Sequence, residues 1–178
     1  MTSCPPLLSP WAVLDDAHWR GFFQGLDSHL QAPAFRKLRS LAHQARQALN
    51  DLDAFMTRYC AQTCPHCTNA CCRALRVAYN VTDLVYLWGL HEALPLGQTR
   101  RNETDPCRYY SSSGCILPRH LRPYVCTWFF CEAHMQLFSM ETPRFQRHVL
   151  AVLQEMRRLR SAMYETVRIS FSTGGAKE

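Results

Sequence analysis

PAFRKLRSLAHQARQALNDLDAFMTRY, residues 33–59, decides the fold class. Phe35, Leu38, Leu41, Ala42, Ala45, Leu49, Leu52, Phe55 and Met56 recur at the 3.6-residue period of a helix and fall on one face. Arg36, Lys37, Arg39, Arg46 and Asp53 lie elsewhere around it, so the stretch predicts a long amphipathic helix. Pro33 suits the first helical turn, where the missing N–H would have no intrahelical partner.

Working outward, a shorter helix is expected around Trp11, Leu14, His18, Phe22 and Leu26. Thr82-Asp83 reads as the cap of a further helix through Val85, Tyr86, Trp88 and Leu90, ended by Pro95 and Gly97. Thr142-Pro143 opens a last helix with Phe145, Val149, Val152, Leu153, Met156, Leu159, Met163 and Val167 on one face. Arg144, Arg147, Arg157, Arg158 and Arg160 fill the remainder, a pattern read as solvated surface, and the tail from Ser170 is expected to fray. Residues 121–138 are read as helical or partly irregular, and a strand signal is confined to Leu75–Tyr79. The expected class is therefore mainly α. It is a single small helical domain over residues 1–178, with helical flanks at 10–59 and 142–168 around a cysteine-rich core at 60–131.

That core carries the chemistry. Of ten cysteines, five lie in Cys60-Ala61-Gln62-Thr63-Cys64-Pro65-His66-Cys67-Thr68-Asn69-Ala70-Cys71-Cys72. Cys107, Cys115, Cys126 and Cys131 form a second run, and Cys4 reads as a tail thiol. Thiolates are soft donors that favour zinc, copper(I) or iron–sulfur clusters over magnesium or calcium. The loop from Gln98 to Pro118 is too long for a simple connector, and cysteines within it are a reason for order. Adjacent thiols such as Cys71 and Cys72 seldom both reach one small ion without strain, which favours a cluster or two metals over one zinc. Cys60, Cys131 and His66 are left open as further ligands, while His120 and His134 are read as ordinary polar residues. Arg73, Arg76, Arg108 and Arg122 flank the runs and can balance thiolate charge; Trp88, Trp128, Phe129 and Phe130 are expected as an apolar shell.

The order of these elements resembles the zinc- or iron-chelating CxxCxxCC cysteine-cluster family. The resemblance spans residues 64 to about 130: Cys64, Cys67 and the vicinal pair Cys71-Cys72, then a capped helix, then Cys107. It closes on Cys115-Ile116-Leu117-Pro118-Arg119-His120-Leu121-Arg122-Pro123-Tyr124-Val125-Cys126. One extra residue stands before the vicinal pair and another between Cys115 and Arg122-Pro123. The resemblance implies a metal held by Cys64, Cys67, Cys71, Cys72, Cys107, Cys115 and Cys126, as an iron–sulfur cluster (4Fe-4S the favoured form) or Zn2+. A redox, metal-handling or structural role follows.

Two alternatives stay open: a cluster-dependent enzyme that binds S-adenosylmethionine, and a zinc-stabilised interaction module with a protein partner. Cys60, Cys64 and Cys67 match the spacing of radical S-adenosylmethionine enzymes, but a long helix precedes them where those enzymes carry a strand. No glycine-rich dinucleotide fingerprint, phosphate loop or nucleophile elbow appears.

The net charge is +6, and 18 of the 20 basic residues are arginine, Lys37 and Lys177 being the exceptions. Metal-bound thiolates would offset part of that charge, and the expectation is against nucleic acid. The amino terminus lacks the basic and apolar regions of a secretory signal, and no run approaches the ~20 apolar residues of a membrane span. A reducing cytoplasm, where thiols stay reduced or bind metal, is the expected compartment.

Overall fold

The computed structural model describes residues 8–68, 70–112 and 114–174, so Cys4 lies outside the described residues. The chain is mainly α. Its described helices are α1 (Asp16–His29), α2 (Ala32–Thr63), α3 (Cys71–Ala74), α4 (Val81–Leu90), α5 (Val125–Trp128), α6 (Glu132–Ser139) and α7 (Pro143–Gly174). The sheet is a minimal antiparallel hairpin, β1 (Tyr110–Ser111) with β2 (Gly114–Cys115). No described helix is long and apolar enough to cross a membrane.

The chain divides into two units, the first drawn from residues 1–45, 79–98 and 158–178, the second from 46–78 and 99–157. The long helices α2 and α7 contribute to both.

In the first unit, α4 is apolar nearly all round, and only Trp88 among its ten residues escapes full burial. A helix of that kind belongs inside a core. It meets the first half of α2 so closely that a Cβ on Gly89 would lie 3.0 Å from Ala42 Cβ and 3.3 Å from Leu38 Cγ. The helix starts one residue pair earlier than the sequence suggests. Asn80 is the cap: its side chain accepts from Asp83 N–H at 2.9 Å, and Asp83 accepts from Asn80 N–H at 3.0 Å. His91, in the left-handed region at φ 54°, ends the helix before Pro95 and Gly97.

Asp83 also meets Arg160 of α7 at 2.8 Å, both side chains being at least nine-tenths buried. The sequence reading of Arg160 as solvated surface is thus corrected: one arginine of that face is turned inward, where a carboxylate awaits it. Helix α1 begins at Asp16 behind the cap Asp15, and it buries Trp19, Phe23 and Leu26. Trp11 and Leu14 precede it, with Trp11 exposed. Gln98 closes this unit. Its amide donates to the carbonyls of Leu14 and Tyr79 and accepts from Tyr79 N–H.

In the second unit, the remainder of α2 buries Leu49, Leu52, Phe55, Met56 and Tyr59, and α7 buries Val149, Val152 and Met156. Phe55 packs edge-to-face against Tyr59, Phe130 and Phe145, at centroid distances of 5.4, 6.2 and 5.2 Å. Thr142 caps α7, accepting from Phe145 N–H at 3.3 Å, and the helix runs on to Gly174, past the point where fraying was expected.

The strand expected at Leu75–Tyr79 does not form. Its backbone finds side chains instead of a neighbouring strand. Arg100 donates to the carbonyls of Cys72, Arg73 and Leu75, and Thr99 Oγ1 donates to Val77 O. Arg100 also grips Asp105 O, so one guanidinium ties the vicinal-cysteine segment to the long loop.

Candidate metal centre

Two sets of thiols emerge in the second unit. The larger draws on segments far apart in the chain. Cys71 and Cys72 open α3 behind Ala70; Cys107 lies in the long loop; Cys115 is in β2; Cys126 is in α5. Backbone bonds hold these segments in register. Cys107 N–H donates to Cys72 O at 3.0 Å, Tyr110 N–H donates to Cys107 O at 3.0 Å, and Tyr110 pairs with Cys115 in the hairpin. Arg122 Nε donates to Leu117 O at 2.9 Å, and Cys126 N–H to Pro123 O at 2.9 Å, which folds the closing segment onto itself.

The electrostatics show that these five sulfurs share one neighbourhood. Cys72 is raised by its hydrogen bond with Cys71, by burial, and by charge on Cys71, Cys107 and Cys115. Burial, then the charges of Cys115, Cys107 and Cys71, push Cys126 up to about 12, against Arg122. Cys107 is raised by burial and by Cys115, with Arg100 and Arg108 opposing. Cys71 alone is lowered, to about 6, chiefly by the hydrogen bond from Cys72 and further by backbone N–H groups. The Cys71 thiolate is therefore easy to form here, and its charge opposes ionisation of Cys72 and Cys126. A bound cation reverses that resistance, because it is the largest local charge and favours every thiolate around it.

The second set is tighter. Ligand atoms of Cys60, Cys64 and His134 all lie within 4.8 Å of one another. Sulfurs ~2.3 Å from a tetrahedral zinc stand about 3.8 Å apart, so this spacing is close to that of a shared ion. The extension of α2 through Thr63 explains the pairing: Cys60 sits in its last turn, and Cys64 follows four residues on, one helical turn away. His134 arrives from α6 and is buried.

Burial raises the Cys60 thiol, but the His134 imidazole and the Arg119 guanidinium beside it outweigh that and leave it below its ordinary value. Arg119 is itself buried and held by Asp53, Nε to Oδ1 at 2.7 Å. The residue Cys64 is exposed overall, yet partial burial of its thiol and the charge of Cys60 push it up to about 11.

His134 Nε2 lies 2.9 Å from Thr63 Oγ1, which also donates to Tyr59 O at 2.9 Å, so the ring is anchored to the last turn of α2. Its Nδ1 is buried, and the imidazole hydrogen-bonds to the Cys60 thiol.

Of the seven expected ligands, Cys71, Cys72, Cys107, Cys115 and Cys126 lie on segments linked by backbone bonds or electrostatic influence, but among the described residues only Cys60, Cys64 and His134 bring three donor atoms within 4.8 Å of one another. Cys64 is drawn toward Cys60 and His134, with Cys71 a weaker neighbour. Cys67 is exposed at the end of the 3-10 turn, where its N–H donates to Cys64 O at 3.2 Å. His134 was passed over as a lone histidine; no spacing could reveal it, because it stands 70 residues beyond Cys64. The i, i+4 spacing of Cys60 and Cys64 was the available signal, and it needed the helix to run past Tyr59. Of the flanking arginines, Arg108 and Arg122 do act on thiols, whereas Arg76 pairs with exposed Glu103 at 3.0 Å. Phe130 packs on His134 at a centroid distance of 6.3 Å, but Trp88 belongs to the other unit, donating to Asp27.

Comparison with known protein families, with curated proteins and with solved structures finds no match.

Proposed function

We propose that this protein is a metal-binding protein whose main centre is an iron–sulfur cluster, held by thiolates drawn from Cys71, Cys72, Cys107, Cys115 and Cys126. The observation that carries the reading is the backbone pairing that joins the segments of these cysteines, Cys107 N–H on Cys72 O and Tyr110 opposite Cys115, together with the charge effects that reach Cys72 and Cys126 from the others. Order in the sequence, with its resemblance to the CxxCxxCC family, points the same way.

Zinc is the alternative occupant, and two features favour the cluster. Five thiols exceed the four that close a structural zinc site. The adjacent pair Cys71-Cys72 also presents sulfurs from consecutive residues, which separate irons of one cluster accept more readily than one ion does. The surrounding guanidinium groups of Arg100, Arg108 and Arg122 suit a centre with net negative charge. Redox, metal-handling and structural roles are all within the reach of such a centre.

Anaerobic purification of the full chain, with iron, acid-labile sulfide and zinc measured alongside the visible spectrum, tests this. A brown protein with matching iron and sulfide, bleached by reductant, is the expected result. A folded, colourless protein without iron overturns the cluster, and one that also lacks zinc overturns metal binding by these five residues.

A further inference from the structure

We propose that Cys60, Cys64 and His134 form a second, mononuclear metal site, separate from the five-thiol centre, that takes a Zn2+-type ion through two sulfurs and one imidazole nitrogen. Three observations converge on it. The three donors already lie within 4.8 Å of one another, from α2, the turn that follows it and α6. They are soft or borderline donors of the kind zinc takes in Cys/His sites. The third observation is the hydrogen-bond chain Tyr59 O to Thr63 Oγ1 to His134 Nε2.

A second nitrogen held by a fixed oxygen is the arrangement expected behind a metal-bound histidine, because it orients the ring. The other nitrogen, Nδ1, is buried, and the imidazole already reaches the Cys60 thiol. Thr63 is a positioning residue in this account. Arg119, held by Asp53, lies beside Cys60 and offsets thiolate charge.

Three protein donors leave a fourth tetrahedral position. Zinc sites with three protein ligands fill that position with water or an exogenous ligand. Arg119 also lines an open pocket of about 200 Å³ with Asn50, Asp53, Thr57, His120 and Arg122.

Cobalt(II) titration of the full-length protein, reduced and stripped of metal, tests the site. Tetrahedral Co2+ gives strong visible bands, and each thiolate ligand adds near-ultraviolet charge transfer. The Cys107→Ser, Cys126→Ser double variant, in which the five-thiol centre is disabled, should show a two-thiolate tetrahedral spectrum. Adding Cys60→Ser or His134→Gln to it should lose that spectrum while keeping the helical circular dichroism. Adding His134→Cys instead should keep a tetrahedral spectrum with charge transfer raised by about half, from two thiolates to three. A spectrum unchanged by His134→Gln in the double variant overturns the proposal, as does loss of all cobalt binding in the double variant itself. Failure of the five-thiol centre instead appears as absent iron and sulfide, with the His134-dependent cobalt signal intact.

Discussion

The two units solve the same problem, holding irregular backbone in place, by different means. In the first, burial does nearly everything. Helix α4 is enclosed, its N-terminus carries a reciprocal capping box, and its one deep charge, Asp83, is met by Arg160. Even the connector ends are sealed by one side chain, Gln98. The second unit has a comparable aromatic core along α2, but its long loop and vicinal cysteines rest on a few polar clamps, above all Arg100. It also gathers thiols that oppose one another's ionisation. A region built this way is completed by a cation rather than by more packing.

Substitutions that affect one unit and spare the other sharpen that contrast. The largest effect is expected from Cys126→Ser, which removes a half-buried thiol of the five and should strongly lower iron at that centre, by elemental analysis. In the same variant the amides of α4 should keep their hydrogen-exchange protection, while residues 99–118 lose theirs. Loss of protection in α4 as well would break the separation.

Asp83→Ala acts in reverse. It removes the carboxylate that faces buried Arg160 and half of the capping box, so a loss of about 3–5 kcal/mol is expected in chemical denaturation. Metal content per folded chain should be unchanged. A loss under about 1 kcal/mol would mean that the pair is solvated in solution.

Thr63→Val keeps the size of the side chain but removes the hydroxyl that holds His134 Nε2. It should weaken cobalt or zinc at the Cys60–Cys64–His134 site by about 10–100-fold, the usual loss on removing such an orienting partner. Iron at the five-thiol centre should not change.

The smallest effect belongs to the cap of α1. Backbone N–H of His18, then its side chain, hold the exposed Asp15 carboxyl below its ordinary value. A carboxyl lowered in the folded state stabilises above its unfolded value of ~3.9, and the gain disappears as pH falls through the folded value. Asp15→Asn should therefore flatten the acid limb of a thermal-midpoint profile, lowering the midpoint slightly at neutral pH and leaving it unchanged below the folded value.

Much of the helical frame was legible in the sequence, because a 3.6-residue apolar period reports a buried face directly. The stripes from Leu38 to Met56 and from Val149 to Val167 lie where that period puts them. What escaped it depended on distant partners. Arg160 reads as surface until Asp83 is known to face it. Leu75–Tyr79 reads as a strand until side chains, not a strand, are seen to take its backbone bonds. The cysteines advertise soft-metal chemistry by type and spacing, yet spacing does not say which sulfurs meet. Cys60 and His134 became neighbours only through the extra turn of α2 and the approach of α6.

Cysteine alkylation read by mass spectrometry, before and after chelation under anaerobic conditions, probes sulfur convergence most directly. Cys71, Cys72, Cys107, Cys115 and Cys126 should be protected as a group and released together when the chelator strips the centre, with Cys67 labelled throughout. Five thiols that each react at a rate set by their own exposure, indifferent to chelator, would contradict a shared inorganic centre.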